Sequence, residues 1–171
     1  MTGVFRLFFT RVLLVSAFMT QALQAQEIAP PQAEFVFQVR AELAPNVVVG
    51  DSSDGFRQAI PITGGVFEGP DIHGDILAGG ADYQLQRPDG VRELQAVYMI
   101  RTSDGVLINV VNEGIVVDPE INNGEAYVMT TPHFRAPVGK YDWLNKAVFL
   151  SKIVGGSDDP RAVHINVYRV K

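Results

Sequence analysis

Asp82 follows Gly79-Gly80-Ala81 and opens a short β-type segment, Asp82–Gln86. A carboxylate at that point projects toward the mouth of a barrel, where it acts as a base or anchors a ligand. Glu68 follows a second glycine-rich run, Thr63-Gly64-Gly65-Val66-Phe67. Two carboxylates brought together repel, so one holds its proton more tightly and the pair can do acid/base work. Tyr98 offers a phenol to a ligand carbonyl, and Arg57 a guanidinium to an anion. Trp143 and Asn145 share one face if their segment is a strand, giving an apolar wall with an amide donor. Each residue also has a plain structural reading as a solvated acid, a surface arginine or a packed aromatic ring.

Several chemistries are excluded. The chain has no cysteine, which removes thiol catalysis, cysteine–zinc sites and thiolate-bound clusters. His73, His133 and His164 are far apart and follow no ligand spacing, so no metal site is expected. No Gly-x-Ser-x-Gly elbow occurs, and the glycine-rich segments lack a following helix with Lys-Ser or Lys-Thr. No cofactor is expected. A formal charge of −5 disfavours nucleic acid, where phosphate neutralisation dominates affinity.

These residues need a scaffold. A chain of 171 residues fits one domain. Residues 1–25 read as a cleaved secretory signal. Arg6 and Arg11 precede the apolar run Val12–Met19, and Ala22-Leu23-Gln24-Ala25 is a small-residue exit, with cleavage after Ala25 or, second, Ala22. The run is too short to span a bilayer, so it is read as a signal to be cleaved, with an uncleaved membrane anchor as the alternative. Cleavage puts the mature protein in the periplasm or outside the cell. Losing the signal takes the charge from −5 to −7. Residues 26–33, with Pro30-Pro31, form an extended leader, and 34–171 a single β domain.

Strands are expected from Phe35, over Phe56–Phe67, Ile72–Leu77, Asp82–Gln86, Glu93–Thr102, Val106–Asn112, Val116–Pro119, Ala126–Thr131, Trp143–Ser151 and Ala162–Val170. Pro45-Asn46 and Gly50–Gly55 read as loop, and Ala78–Ala81 as a turn joining a hairpin. Asp89-Gly90 and Asp104-Gly105 are expected as type I′ hairpin turns. The fold class is all-β: a small closed antiparallel β-barrel of roughly eight to nine strands in meander order, closure removing exposed sheet edges. The glycine pairs and Pro132 interrupt the long lipid-facing rows that a membrane barrel needs. Apolar residues on both faces of 93–102 and 106–112 admit a homodimer.

Ile62–Pro70, Gly79–Leu85 with Asp89-Gly90, Thr102–Gly105 and Tyr141-Asp142-Trp143-Leu144-Asn145 stand in an order that resembles the domain of unknown function 3237 family, also called uncharacterised protein family 0311. The resemblance covers nearly the whole mature chain and implies a small closed antiparallel barrel. It implies no general activity. One departure is Phe134-Arg135, where family members often carry Phe-Glu.

The leading expectation is therefore an exported barrel that binds a small apolar or aromatic molecule in its lumen, with Arg57, Asp82, Tyr98, Trp143 and Asn145 as ligand-binding candidates. The second is a cofactor-independent isomerase, lyase or hydrolase using Asp82 or Glu68. The third is a structural or interaction barrel without a ligand.

Overall fold

The computed structural model describes residues 28–154, 159 and 161–171. The expected signal, its cleavage point, the first two leader residues and most of the loop after Val154 lie outside the described residues. The chain forms ten strands: β1 (Ala33–Leu43), β2 (Val47–Ser52), β3 (Gly55–Glu68), β4 (His73–Ile76), β5 (Gly80–Gln86), β6 (Arg92–Thr102), β7 (Leu107–Val117), β8 (Tyr127–Arg135), β9 (Phe149–Val154) and β10 (Ala162–Val170). Two 3₁₀ turns, Pro119–Ile121 and Asp142–Lys146, complete it.

All pairings are antiparallel. The circuit β1–β10–β9–β8–β7–β6–β5–β3–β1 closes an eight-strand barrel, mostly in chain order. β2 and β4 lie outside that circuit: β2 pairs with β3, and β4 joins β3 to β6 beyond the end of β5. Pairing starts inside the expected leader, because Gln32 and Lys171 exchange backbone hydrogen bonds of 3.2 and 2.8 Å.

Four local expectations are corrected. Ala78–Ala81 is not a hairpin turn. β4 and β5 run consecutively along the same two neighbours, with Val66 opposite Asp75 and Ile62 opposite Gly80. Gly79, at φ 105°, absorbs the one-residue offset as a bulge. Residues 50–52, expected as loop, belong to β2, because the ladder to β3 outweighs the poor strand propensity of Gly50-Asp51-Ser52. The Asp-Gly turns are real, with Gly90 and Gly105 donating back to the Arg87 and Thr102 carbonyls. However, only their glycines have positive φ, so they are not type I′. Finally, 142–146 is a 3₁₀ turn and not the start of a strand.

Two close approaches explain the glycines that bend the barrel. Gly65 sits at φ 133°, and a Cβ there would collide with the Arg40 carbonyl on β1. A Cβ on Gly80 would lie 2.6 Å from the Tyr98 Cβ, so only glycine lets β5 approach β6 at that height. Pro132 sits inside β8 although it has no N–H to donate. β8 keeps nine registered pairs with β7 and meets β9 in register only at Thr130–Ser151. The missing donor is thus tolerated on the thinly paired side.

Candidate functional site

Alternation sends every second side chain into the lumen, and the two halves of the lumen are filled differently. In one half Phe37, Phe67, Phe134 and Phe149 meet edge to face at centroid distances of 5.3 Å (Phe37–Phe67), 5.9 Å (Phe37–Phe134) and 5.0 Å (Phe134–Phe149). Ile72, Ile100, Ile108, Tyr141 and Leu144 pack against them. In the other half the inward residues are smaller. Val39, Ala41 and Leu43 follow Phe37 along β1, and Val163 and Ile165 precede Val167 along β10. They leave a cavity of about 200 Å³, walled also by Ile60, Ile62, Leu94, Ala96, Val116 and Ile153.

Polar groups reach this apolar cavity from two sides. β5 is turned against the usual pattern: Asp82 and Gln84 face the lumen, while Tyr83 is 54% exposed outside. Gln84 donates from Nε2 to Asp82 Oδ2 at 2.6 Å and accepts from Gln58 Nε2 at 2.8 Å. The other oxygen, Asp82 Oδ1, is buried without a hydrogen-bond partner, alone in this among the described residues. Burial pushes the Asp82 carboxyl above the ordinary aspartate value, against the pull of the Gln84 amide, the Gln95 backbone and the Arg92 charge. Arg92 is itself engaged, donating to Gln86 Oε1 at 3.3 Å and lying 3.7 Å from an Asp118 carboxylate oxygen. Burial likewise pushes the Tyr98 phenol up.

The second polar group stands on β7, β8 and β9. Asn112 and Thr130 line the cavity. The fully buried Ser151 hydroxyl pairs with Thr130 Oγ1 and lies 3.5 Å from Asn112 Oδ1. Ser151 on β9 stands four places from β5 around the eight-strand circuit, whereas Asn112 on β7 is two places away, opposite Ala96, which is itself opposite Asp82.

The sequence candidates separate cleanly. Asp82 and Tyr98 line the cavity. Glu68 does not: it ends β3 opposite His73, exposed, whereas the β3 residue beside Asp82 is Ile60. The proposed carboxylate pair therefore does not form. Arg57 also faces away from the lumen. It stands opposite Leu85, on the outer side, and ion-pairs with Asp54. Trp143 and Asn145 belong to the 3₁₀ turn. Asn145 accepts from the Ala136 N–H at 2.9 Å and donates to the Ala136 carbonyl at 2.8 Å. Trp143 packs on Phe149 at 6.0 Å, with Arg169 over its ring. Both hold the loop, and neither lines the cavity. Gln84, Asn112, Thr130 and Ser151 were missed. Gln84 shares the period-two face of Asp82, and Asn112 ends the apolar row Ile108–Val110, so a polar residue on a core-facing row was the available signal. Among the described residues no three His, Asp or Glu side chains stand close enough to share a metal ion.

The raised Asp82 value has a definite sign in stability. As pH rises, the unfolded chain loses this proton first, so Asp82 destabilises the fold above the ordinary aspartate value, fully so once pH passes the folded value. Below the ordinary value both states hold the proton and the penalty vanishes. Asp82→Asn is therefore expected to melt a few degrees higher than wild type at pH 7, the gain fading by about pH 3. Scanning calorimetry across that range checks it, and a variant that melts lower at pH 7 contradicts it.

A family model described as "Protein of unknown function (DUF3237)" matches residues 31–170. A UPF0311 protein of Bradyrhizobium diazoefficiens is 33% identical over 148 residues, covering 80% of this chain and 95% of that protein. A crystal structure of a β-barrel-like protein from Acinetobacter baumannii AYE superposes with a TM-score of 0.75 at 31% identity, covering 85% of this chain and 99% of that one. A hydroalkoxylation enzyme of Penicillium herquei is 29% identical over 137 residues, covering 80% of this chain and 83% of the enzyme. With a matching model that spans the whole described barrel and relatives that align almost end to end, this chain belongs to the DUF3237 family.

Proposed function

We propose that the protein binds a small, mainly apolar molecule, aromatic or alicyclic, in the unfilled half of its lumen, with one polar group of that molecule held by Asp82. The carrying observation is a cavity of about 200 Å³ with aliphatic walls and a buried carboxylate oxygen that has no partner. An apolar protein cavity of about 150 Å³ stays dry and takes up benzene. The space here suits one substituted ring. Transfer of that ring from water drives binding, and the few polar groups orient it.

Ala96 stands opposite Asp82 in the β5–β6 ladder and lines the same cavity. Ala96→Phe is expected to fill the space. Calorimetric titration with phenol and with indole should give saturable binding to wild type, weakened at least about tenfold in Ala96→Phe, which still melts cooperatively. Equal binding to both proteins contradicts lumen binding.

A second reading, a proton-transfer enzyme, is favoured by the similarity to a hydroalkoxylation enzyme together with the raised proton affinity of Asp82. In such a reaction an O–H adds across a C=C. Carbon gains a proton, oxygen forms the C–O bond and loses its proton, and the product is an isomer when both groups belong to one molecule. A buried carboxyl of raised proton affinity can, in its protonated form, deliver the first proton and receive the second. The test is conversion of 2-allylphenol to a cyclic ether of equal mass, followed by chromatography. Conversion that falls about 100-fold in Asp82→Asn supports this reading, and conversion untouched by the substitution removes Asp82 as the acid.

A further inference from the structure

A file of carboxamides leads from the surface to Asp82. Asn46, in the link between β1 and β2, donates from Nδ2 to Gln58 Oε1 at 3.0 Å. Gln58 donates from Nε2 to Gln84 Oε1 at 2.8 Å, and Gln84 from Nε2 to Asp82 Oδ2 at 2.6 Å. Gln58 and Gln84 are direct partners in the β3–β5 ladder, so the backbone register holds the middle of the file in place. Its direction is forced at the inner end. A carboxylate oxygen only accepts, so Gln84 must present its NH₂ to Asp82 and turn its carbonyl to Gln58. Gln58 must then present its own NH₂ and receive Asn46. Amides aligned head to tail polarise one another, which strengthens the last bond onto Oδ2. The Gln95 backbone also draws on the carboxyl, but Oδ1 has no partner in hydrogen-bond geometry.

We infer that Asn46, Gln58 and Gln84 are positioning residues that commit Asp82 Oδ2 to the protein and reserve Oδ1 for a hydrogen-bond donor on the ligand, so that the lumen selects phenols and alcohols over their ethers. The ligand half of this inference rests on the lumen-binding reading; the positioning half stands without it. A buried acceptor that only the ligand can satisfy discriminates strongly, because an analogue lacking the donor leaves it unpaired. Gln58 and Asn46 are absent from the cavity wall, so changing them leaves the ligand's surroundings intact. The titratable and charged side chains that share the cavity with Asp82 are Tyr98 and Arg92.

The test has two arms, on wild type, Gln84→Leu and Gln58→Leu. The first is a pH titration of the Asp82 side-chain carboxyl carbon by NMR, assigned through Asp82→Asn. Loss of a donor to the ionised form should raise the apparent pKa, by roughly half to one unit in Gln84→Leu and by less in Gln58→Leu. The second compares phenol with anisole as probes. Wild type should prefer phenol by about tenfold, and Gln84→Leu by about threefold or less. A purely structural role would lower melting temperatures and move neither the titration nor the preference, which overturns the positioning role. Anisole binding to wild type as tightly as phenol overturns the ligand class. If neither probe binds wild type, the lumen-binding reading and the ligand class fail together, and the carboxyl titration still decides the positioning. Should Gln84→Leu not fold, Gln58→Leu decides: an unchanged Asp82 titration there overturns the file.

Discussion

Closure is the constraint on which the rest depends. Eight strands closed into a ring leave an interior just wide enough for side chains to fill or for one small ligand to occupy. Which of these happens is decided by the sizes of the inward residues. Here four phenylalanines fill one half, locked edge to face, with Tyr141 and, from the 142–146 segment, Leu144 packed against them. Ala41, Ala96 and short aliphatic residues line the other half and do not meet across it. The backbone supplies the same ring to both halves, so the cavity is a property of the side chains chosen.

That choice comes with a second one that stability alone would not make. β5 turns a carboxylate and an amide inward and a tyrosine outward. A buried carboxylate oxygen without a partner is destabilising, and a leucine at the same position would remove the penalty. Residues that break the local rule at a cost to the fold are the expected signature of a working site. The amide file limits the penalty by satisfying Oδ2, and it fixes the direction of the whole row by the simple fact that a carboxylate cannot donate.

Much of the barrel was legible in the chain, because β6 and β10 are long and regular, whereas β7 was read as two pieces, 106–112 and 116–119, although it runs unbroken through Gly114. Asp82 was singled out by its place after Gly79-Gly80-Ala81 at a strand start, since alternation only sorted β5 into two faces and the polar one proved to be the inner. Glu68 failed for a reason alternation cannot see. β3 is fourteen residues long, and Glu68 lies eight residues beyond Ile60, about 26 Å along an extended strand, so proximity to Asp82 depended on register. Arg57 is one residue from Gln58, and a single step changes faces. The second half of β2 was hidden because Gly50-Asp51-Ser52 have poor strand propensity, although they pair with β3 in a local hairpin with Ser52 opposite Gly55. Trp143 and Asn145 were misplaced because five residues of 3₁₀ turn carry too little periodicity to be told from a strand. The Asn112–Thr130–Ser151 cluster joins three strands, and no spacing in the chain announces it.

Half of this lumen is an apolar-walled space with room for a small guest. A crystal of the protein held under xenon pressure tests it most directly, since xenon enters dry apolar cavities without any polar contact. Xenon density is expected inside the ring, among Val39, Ile62, Leu94 and Ile165, and within reach of the Asp82 wall. Xenon found only outside the barrel, with the lumen packed solid by side chains, would contradict it.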